Sequence, residues 1–268
     1  MNVALIQLNA QDNKPLNIQK AIRFVEKAVS RRAEFILLPE MFNFRGSLSR
    51  PEDRARVAEF IPGESTLPFI QIAKKKRVSI LTGSVREKIS GSDKMYNTSV
   101  LIGPDGKIKA RYRKINLFDA RIGNKKICES ERFKAGQSLS LVALKEFKVG
   151  LAVCYDVRFA DIFDAYSRRG ANVFCLPSAF TAKTGQALWE VLLRARAIEN
   201  LSYVLAPNQI GRGQDGVLCY GHSLIVDPWG RIVAEGSATR EEIVFGKIDL
   251  KVVKEARKIL PSIKFSKK

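Results

Sequence analysis

GLAVCYDVRFADIFDAYSRRGANVFCLPS, residues 150–178, reads as strand, turn, helix and strand without a break. Val149 to Val153 is an apolar run short enough for a buried strand. Ile162 to Arg169 takes helical spacing, and Val173 to Leu176 is apolar again. The same plan appears near the start of the chain. There Val3-Ala-Leu-Ile-Gln7 and Phe35-Ile-Leu-Leu-Pro-Glu40 flank Ile18, Ala21, Ile22, Val25 and Ala28, which recur at helical spacing. A second echo links Leu101-Ile-Gly-Pro-Asp-Gly-Lys-Ile108 to Leu224-Ile-Val-Asp-Pro-Trp-Gly-Arg-Ile232, two hairpins with turn chemistry built in. Between these lie a helix over 65–76, a strand over 78–83, the strongest helix over 186–200 and a strand over 202–206. Two similar halves, each with its own sheet, predict an α/β fold: a four-layer α-β-β-α sandwich of two packed sheets with outer helices. With no Ser/Gly-rich linker, residues 1–268 are expected to form one domain.

Composition narrows the function classes. Of 268 residues, 46% are hydrophobic and 27% charged, which excludes a disordered or fibrous chain. No apolar run approaches the ~20 residues of a bilayer-spanning helix. The opening MNVALIQLNAQ reads as a strand rather than a leader, so a soluble cytoplasmic protein without a membrane partner is expected. Cys128, Cys154, Cys175 and Cys219 are 26, 21 and 44 residues apart, with no CxxC pair to suggest a metal cage or redox dithiol. His222 is the only histidine, so multi-histidine metal sites are excluded. The net charge of +19 and pI near 10.0 favour anionic partners. The positive residues are nevertheless scattered in short runs at Arg31-Arg32, Lys74 to Arg77, Lys125-Lys126, Arg168-Arg169 and the tail Lys264, Lys267 and Lys268. That pattern describes a solvated basic surface, and nucleic acid is not the expected partner.

Reactive groups of α/β proteins collect just past the carboxyl ends of strands. Glu40, Lys114 and Cys154 occupy such positions. Each has an ordinary reading: a solvated charge for the first two, a packed small hydrophobe for the third. Together they supply a base, an electrophile and a nucleophile without histidine. A thiol needs a base or a cation to act as thiolate, a partly dry carboxylate can be that base, and an ammonium can stabilise an oxyanion.

LPEMF at 38–42, YRKINLFD at 112–119 and VCYDVRF at 153–159 resemble the three signature segments of the nitrilase-like carbon–nitrogen hydrolases. CES at 128–130, LPSAFTAKTG at 176–185, WEVLLRARAIEN at 189–200 and YGHSLIVDPWG at 220–230 extend the likeness over nearly the whole chain. The resemblance implies Glu40 as general base, Cys154 as nucleophile and Lys114 as oxyanion stabiliser. It also implies Glu129 as a second glutamate positioning the lysine and substrate, and the Tyr155 N–H as the other oxyanion donor. It implies attack on an amide, loss of ammonia and hydrolysis of a thioester, with no cofactor and no metal. Within the family the motifs look most like the small-amidase branch of omega-amidase and the amidase of deaminated glutathione. A small anionic carboxamide is therefore the expected substrate, and a homodimer or higher homo-oligomer the expected assembly. Arg158, Phe180 and Thr181 are the candidate substrate contacts. Arg158 is a carboxylate partner on this reading, and pairing with a nearby Asp to hold its loop is the alternative.

Four departures from the branch bear on the substrate. Asn116 and Leu188 stand where His is common, Ala160-Asp161 replaces Pro-Glu, and 120–126 lacks the usual Pro-Gly. His222 is expected to hold the start of the second hairpin, and Trp189 to lie in the core or a subunit interface. Nitrile or N-carbamoyl amine hydrolysis by the same triad is the nearest alternative. A nucleic-acid-binding or regulatory partner protein on the same fold is the alternative of another class.

Overall fold

The computed structural model describes residues 1–122 and 125–263; the basic tail expected at Lys264, Lys267 and Lys268 lies outside the described residues. Strand β1 (Asn2–Gln7) leads into helix α1 (Lys14–Ser30), which returns the chain to β2 (Phe35–Leu37), parallel to β1 with Val3 opposite Phe35. Helix α1 starts where the Asn13 side chain accepts the Leu16 N–H, and it buries Ile18, Ala21, Val25 and Ala28 along one stripe. Helices α2 (Pro51–Val57) and α3 (Leu67–Lys76) precede β3 (Ser79–Leu81), again parallel to β2. Strands β4 (Val85–Lys88), β5 (Met95–Ile102) and β6 (Ile108–Arg113) complete this part, with β5 antiparallel to β3, β4 and β6.

A separate hairpin of β7 (Asp119–Ile122) and β8 (Lys125–Cys128) intervenes. The second sheet then repeats the first. Strands β9 (Leu141–Leu144) and β10 (Phe147–Leu151) are followed by α4 (Ala160–Arg168), and β11 (Val173–Cys175) lies parallel to β10 with Val149 opposite Val173. Helix α5 (Ala182–Asn200) leads to β12 (Tyr203–Ala206), and a small hairpin, β13 (Ile210–Arg212) with β14 (Leu218–Tyr220), follows. Strands β15 (Leu224–Val226) and β16 (Ile232–Glu235) form the second echoed hairpin. The spatial orders β1-β2-β3-β5-β6 and β10-β11-β12-β15-β16 correspond, and both hairpins shift register in their first strand, at Leu101/Ile102 and at Ile225/Val226. The echoes in sequence are echoes in space.

One strand breaks the division into halves. Strand β17 (Glu242–Lys247), ahead of α6 (Leu250–Ile259), crosses back to the first sheet and pairs antiparallel with β1, Asn2 opposite Lys247. Met1 and Ile248 seal the end of that pairing with bonds of 2.8 and 3.0 Å. The first sheet is thus finished by the second half of the chain.

Alternation along the strands divides the interior into layers. Val3, Leu5, Phe35 and Leu37 meet Leu151, Val173 and Leu205 between the sheets. Ala4, Ile6 and Ile36 point the other way, against Val25 of α1 and Phe69 of α3. On the far side Phe174, Val204 and Val226 pack against Phe163 of α4 and Trp189 and Leu193 of α5. Each such side chain contributes about 1.5–3 kcal/mol by leaving water. Among the described residues no helix is long and apolar enough to cross a membrane.

Candidate active site

Four strand ends converge on one cavity of about 490 Å³. Glu40 follows β2, Lys114 follows β6, Glu129 follows β8 and Cys154 follows β10. All four line the cavity, as do Tyr155, Arg158, Phe180 and Thr181, so every candidate catalytic or substrate-contacting residue reaches the same space.

The buried Lys114 ammonium stands between two carboxylates. It donates to Glu40 Oε1 at 3.1 Å and to Glu129 Oε2 at 2.8 Å. Glu129 Oε2 also accepts the Phe118 N–H at 2.8 Å. Glu40 is held by three further donors: Asn97 Nδ2 on Oε1 at 2.8 Å, the Ala179 N–H on Oε2 at 2.9 Å, and Gln209 Nε2 on its carbonyl at 2.9 Å. A strand-end glutamate is usually solvated; this one is 3% exposed and fixed from four directions.

The backbone at Cys154 is equally constrained. Cys154 sits at φ +48°, and Met41, just past Glu40, at +54°. Left-handed backbone costs a side-chain-bearing residue roughly 1–3 kcal/mol, so the surroundings must enforce it. Asp156 does so for Cys154. Its Oδ2 accepts Val153 N–H at 2.9 Å and Tyr112 OH at 2.8 Å, and its Oδ1 accepts Asn116 N–H at 2.9 Å and Asn116 Nδ2 at 3.0 Å. Asn116, one of the departures noted above, therefore braces the turn at Cys154 and does not line the cavity, whereas Leu188 does.

Charge distribution sets the resting state. Burial pushes the Cys154 thiol well above its ordinary range, and the Glu40 charge adds to this while Lys114 pulls the other way. Cys154 therefore rests as a thiol hydrogen-bonded to Glu40. Burial pulls Lys114 down, but Glu129 and Glu40 outweigh it and hold the ammonium well above its ordinary range. Burial raises Glu129, against the attraction of Lys114. The Cys154 N–H is spent on Pro177 O at 3.0 Å. Tyr155, next along a 3-10 turn over Cys154–Arg158, is in the first turn, where N–H groups lack intrahelical acceptors.

Arg158 is exposed at the end of that turn and has no ion pair among the described residues, so the alternative in which it pins its loop to an aspartate finds no partner here. Phe180 packs on Trp189 with ring centroids 5.1 Å apart, and Thr181 caps α5 by accepting Thr184 N–H at 3.3 Å. Trp189 is core, 1% exposed, with its indole N–H on His222 O at 2.6 Å. His222 Nδ1 meets Glu235 Oε1 at 2.6 Å across the mouth of the β15–β16 hairpin, the structural role expected of it. Sequence reasoning missed Asn97, Gln209, Arg45 and Arg86, all bearing on the site. Among the described residues no three His, Cys, Asp or Glu side chains cluster to hold a metal ion.

Residues 2–258 match the sequence profile described as carbon–nitrogen hydrolase. The chain is 39% identical to omega-amidase NIT2 of Homo sapiens over 261 residues, 97% of this chain and 92% of that one, and 35% identical to omega-amidase NIT2 of Danio rerio over 98% and 93%. Among solved structures, Saccharomyces cerevisiae Nit3, of the nitrilase superfamily, superposes with a TM-score of 0.86 at 32% identity, covering 97% of this chain and 94% of that one. The C. elegans NitFhit protein superposes with a TM-score of 0.90 at 36% identity, the match spanning 97% of this chain but 63% of that longer one.

Proposed function

The chain belongs to the carbon–nitrogen hydrolase family, and on that footing we propose that it hydrolyses the terminal carboxamide of a small carboxylic acid, releasing ammonia. The observation that carries the proposal is Lys114 bridging Glu40 and Glu129 beside the half-buried Cys154. Glu40 takes the thiol proton as Sγ attacks the amide carbon, so a thiolate forms only while it is being consumed. On this reading the developing oxyanion is met by the Lys114 ammonium and the Tyr155 N–H. Collapse breaks the C–N bond. The proton held by Glu40 goes to the departing nitrogen, leaving a thioester on Cys154. Glu40 then deprotonates a water that attacks the thioester, and the second tetrahedral intermediate releases the acid and restores the thiol. Glu129 keeps the ammonium aimed at the oxyanion. Arg158, Phe180 and Thr181 line the space left for the substrate.

Assembly as a homodimer or higher homo-oligomer belongs to the same proposal. Val191 and Ile198 of α5 are 66% and 48% exposed, apolar surface that a second copy would cover. Light scattering at micromolar concentration tests it.

The decisive experiment compares wild type and Cys154→Ala on succinamate, a nitrile and an N-carbamoyl amine, following ammonia. Release from succinamate by wild type alone supports the proposal. Carbon dioxide accompanying ammonia would move the activity to carbamoyl cleavage, and equal release by both proteins would remove Cys154 from the mechanism.

A further inference from the structure

Two arginines on the same side of the cavity are buried to the same degree and satisfied very differently. Arg45 is 2% exposed and Arg86 5%. Arg45 reaches both oxygens of Asp215 at 3.3 Å, Val217 O at 2.6 Å, Asn9 Oδ1 at 3.4 Å and Gly211 O at 3.5 Å. Arg86 Nη1 donates to Phe44 O at 2.9 Å, and its Nε has no hydrogen-bond partner among the described residues. Its guanidinium stacks 5.3 Å from the Phe44 ring centroid. A guanidinium presents five donors in a planar fork that matches a carboxylate, and burying it without an anion is costly. If Arg86 merely propped the 41–46 loop through Phe44 O, one neutral donor would do the same work without a buried charge.

Its position is that of a binding group. Arg86 lies opposite Asn97 in the β4–β5 pairing, and Asn97 holds Glu40. Its side chain lines the cavity. Burial pulls it down to about 10, against the fields of Asp215, Glu40 and Glu129. The cavity walls carry Arg45, Arg86, Lys114, Arg132 and Arg158 against the carboxylates Glu40, Glu129 and Asp215, an excess of two positive charges. The volume also lies within the roughly 300–1,000 Å³ of pockets that enclose ligands of drug size, more than a four-carbon amide requires.

We infer that Arg86 binds a second acidic group of the substrate, and that the preferred substrates are amides carrying two carboxylates, one met by Arg158 from the second sheet and the other by Arg86 from the first. This rests on the amidase proposal for the bond cleaved, but the anion site itself does not depend on turnover.

The test is a calorimetric titration of Cys154→Ala and of Cys154→Ala with Arg86→Gln. The ligands are succinamate, with one carboxylate, and the terminal monoamide of propane-1,2,3-tricarboxylate, with two. In the Cys154→Ala protein the dicarboxylate amide should bind at least tenfold more tightly. Arg86→Gln should shrink that margin below threefold while leaving succinamate within twofold. Arg86→Lys, which keeps the charge but loses the fork, should fall between and stands in if the Gln variant melts below assay temperature. No margin in the parent, a margin that survives Arg86→Gln, or equal weakening of both ligands would overturn the inference. Wild-type ammonia release from the same two amides is measured alongside. A margin without turnover leaves the anion site and removes the amidase reading; turnover without a margin does the reverse.

Discussion

The Tyr112 hydroxyl donates to Asp156 Oδ2 at 2.8 Å, joining the strand that precedes Lys114 to the turn that begins with Cys154. Both side chains are fully buried. Three more N–H groups converge on the same carboxylate, so an amide there would turn a donor toward donors. Asp156→Asn should therefore destabilise the protein by about 2–4 kcal/mol and lower kcat together with it. Tyr112→Phe removes one bond and should cost about 1–2 kcal/mol. Urea unfolding followed by circular dichroism measures both, and an Asp156→Asn protein of wild-type stability would show that the four bonds do not hold the turn.

Glu40→Gln keeps the shape of the side chain but cannot accept a proton. With Cys154 resting as a thiol, kcat should fall by roughly 10²–10⁴ while the fold is retained. Lys114→Met should fall at least as far, because it removes an oxyanion donor and leaves two carboxylates facing each other. Steady-state ammonia release is the readout. A Glu40→Gln enzyme within threefold of wild type would transfer the base role elsewhere.

The pH profile follows from the directions of the shifts. Burial raises Glu129, so on acidification it loses its charge before an ordinary carboxylate of about 4.3 would, and Lys114 loses one anchor. The acid limb of kcat/KM should accordingly lie above that value, and Glu129→Gln should displace it toward lower pH. On the alkaline side Lys114 and Cys154 both titrate well above their ordinary ranges. The profile should stay level through about pH 9, near the ordinary thiol value. An alkaline limb centred below that would mean that one of these two groups ionises in the working range.

Asn116 and Leu188 depart from the branch in different ways. Asn116 is spent on Asp156 and lies off the cavity wall, whereas Leu188 is part of that wall. Asn116→His should change stability by about 1 kcal/mol and leave the ranking of amide substrates as it is. Leu188→His should reorder that ranking by at least tenfold between neutral and acidic amides. The same substrate panel run on both variants checks the contrast, and a reordering by Asn116→His would refute it.

Three members of the candidate site are legible because they sit where strands end, and strand ends can be read from short apolar runs. Glu40, Lys114 and Cys154 needed no knowledge of pairing to be suspected, whereas Glu129 came only with the family resemblance. Face and partner were not legible. In Val85-Arg86-Glu87-Lys88 a charged stretch reads as solvated edge, yet Val85 packs under the helices while Arg86 turns to the cavity. Asp156 lies inside a recognisable motif, but three of its four donors come from the other motif at 112–119, a partnership that spacing alone does not reveal. Apolar periodicity starts α5 at Gln186, whereas Thr181 caps it and the helix opens at Ala182, ahead of its first apolar stripe. Strand β17 escaped because its pairing with β1 joins residues far apart in sequence, and such closure leaves no local trace.

That last pairing has a bearing on how the protein is made. On a ribosome, β1 emerges long before β17 and must wait with one edge bare until β17 has been synthesised. An unpaired strand edge is an invitation to foreign strands, so nascent chains are vulnerable while the intervening residues are translated. Glu40 lies beyond the neighbouring strand of the same unfinished sheet. The enzyme should therefore gain its activity only once β17 has been made and all at once, rather than half by half as its internal repeat would suggest.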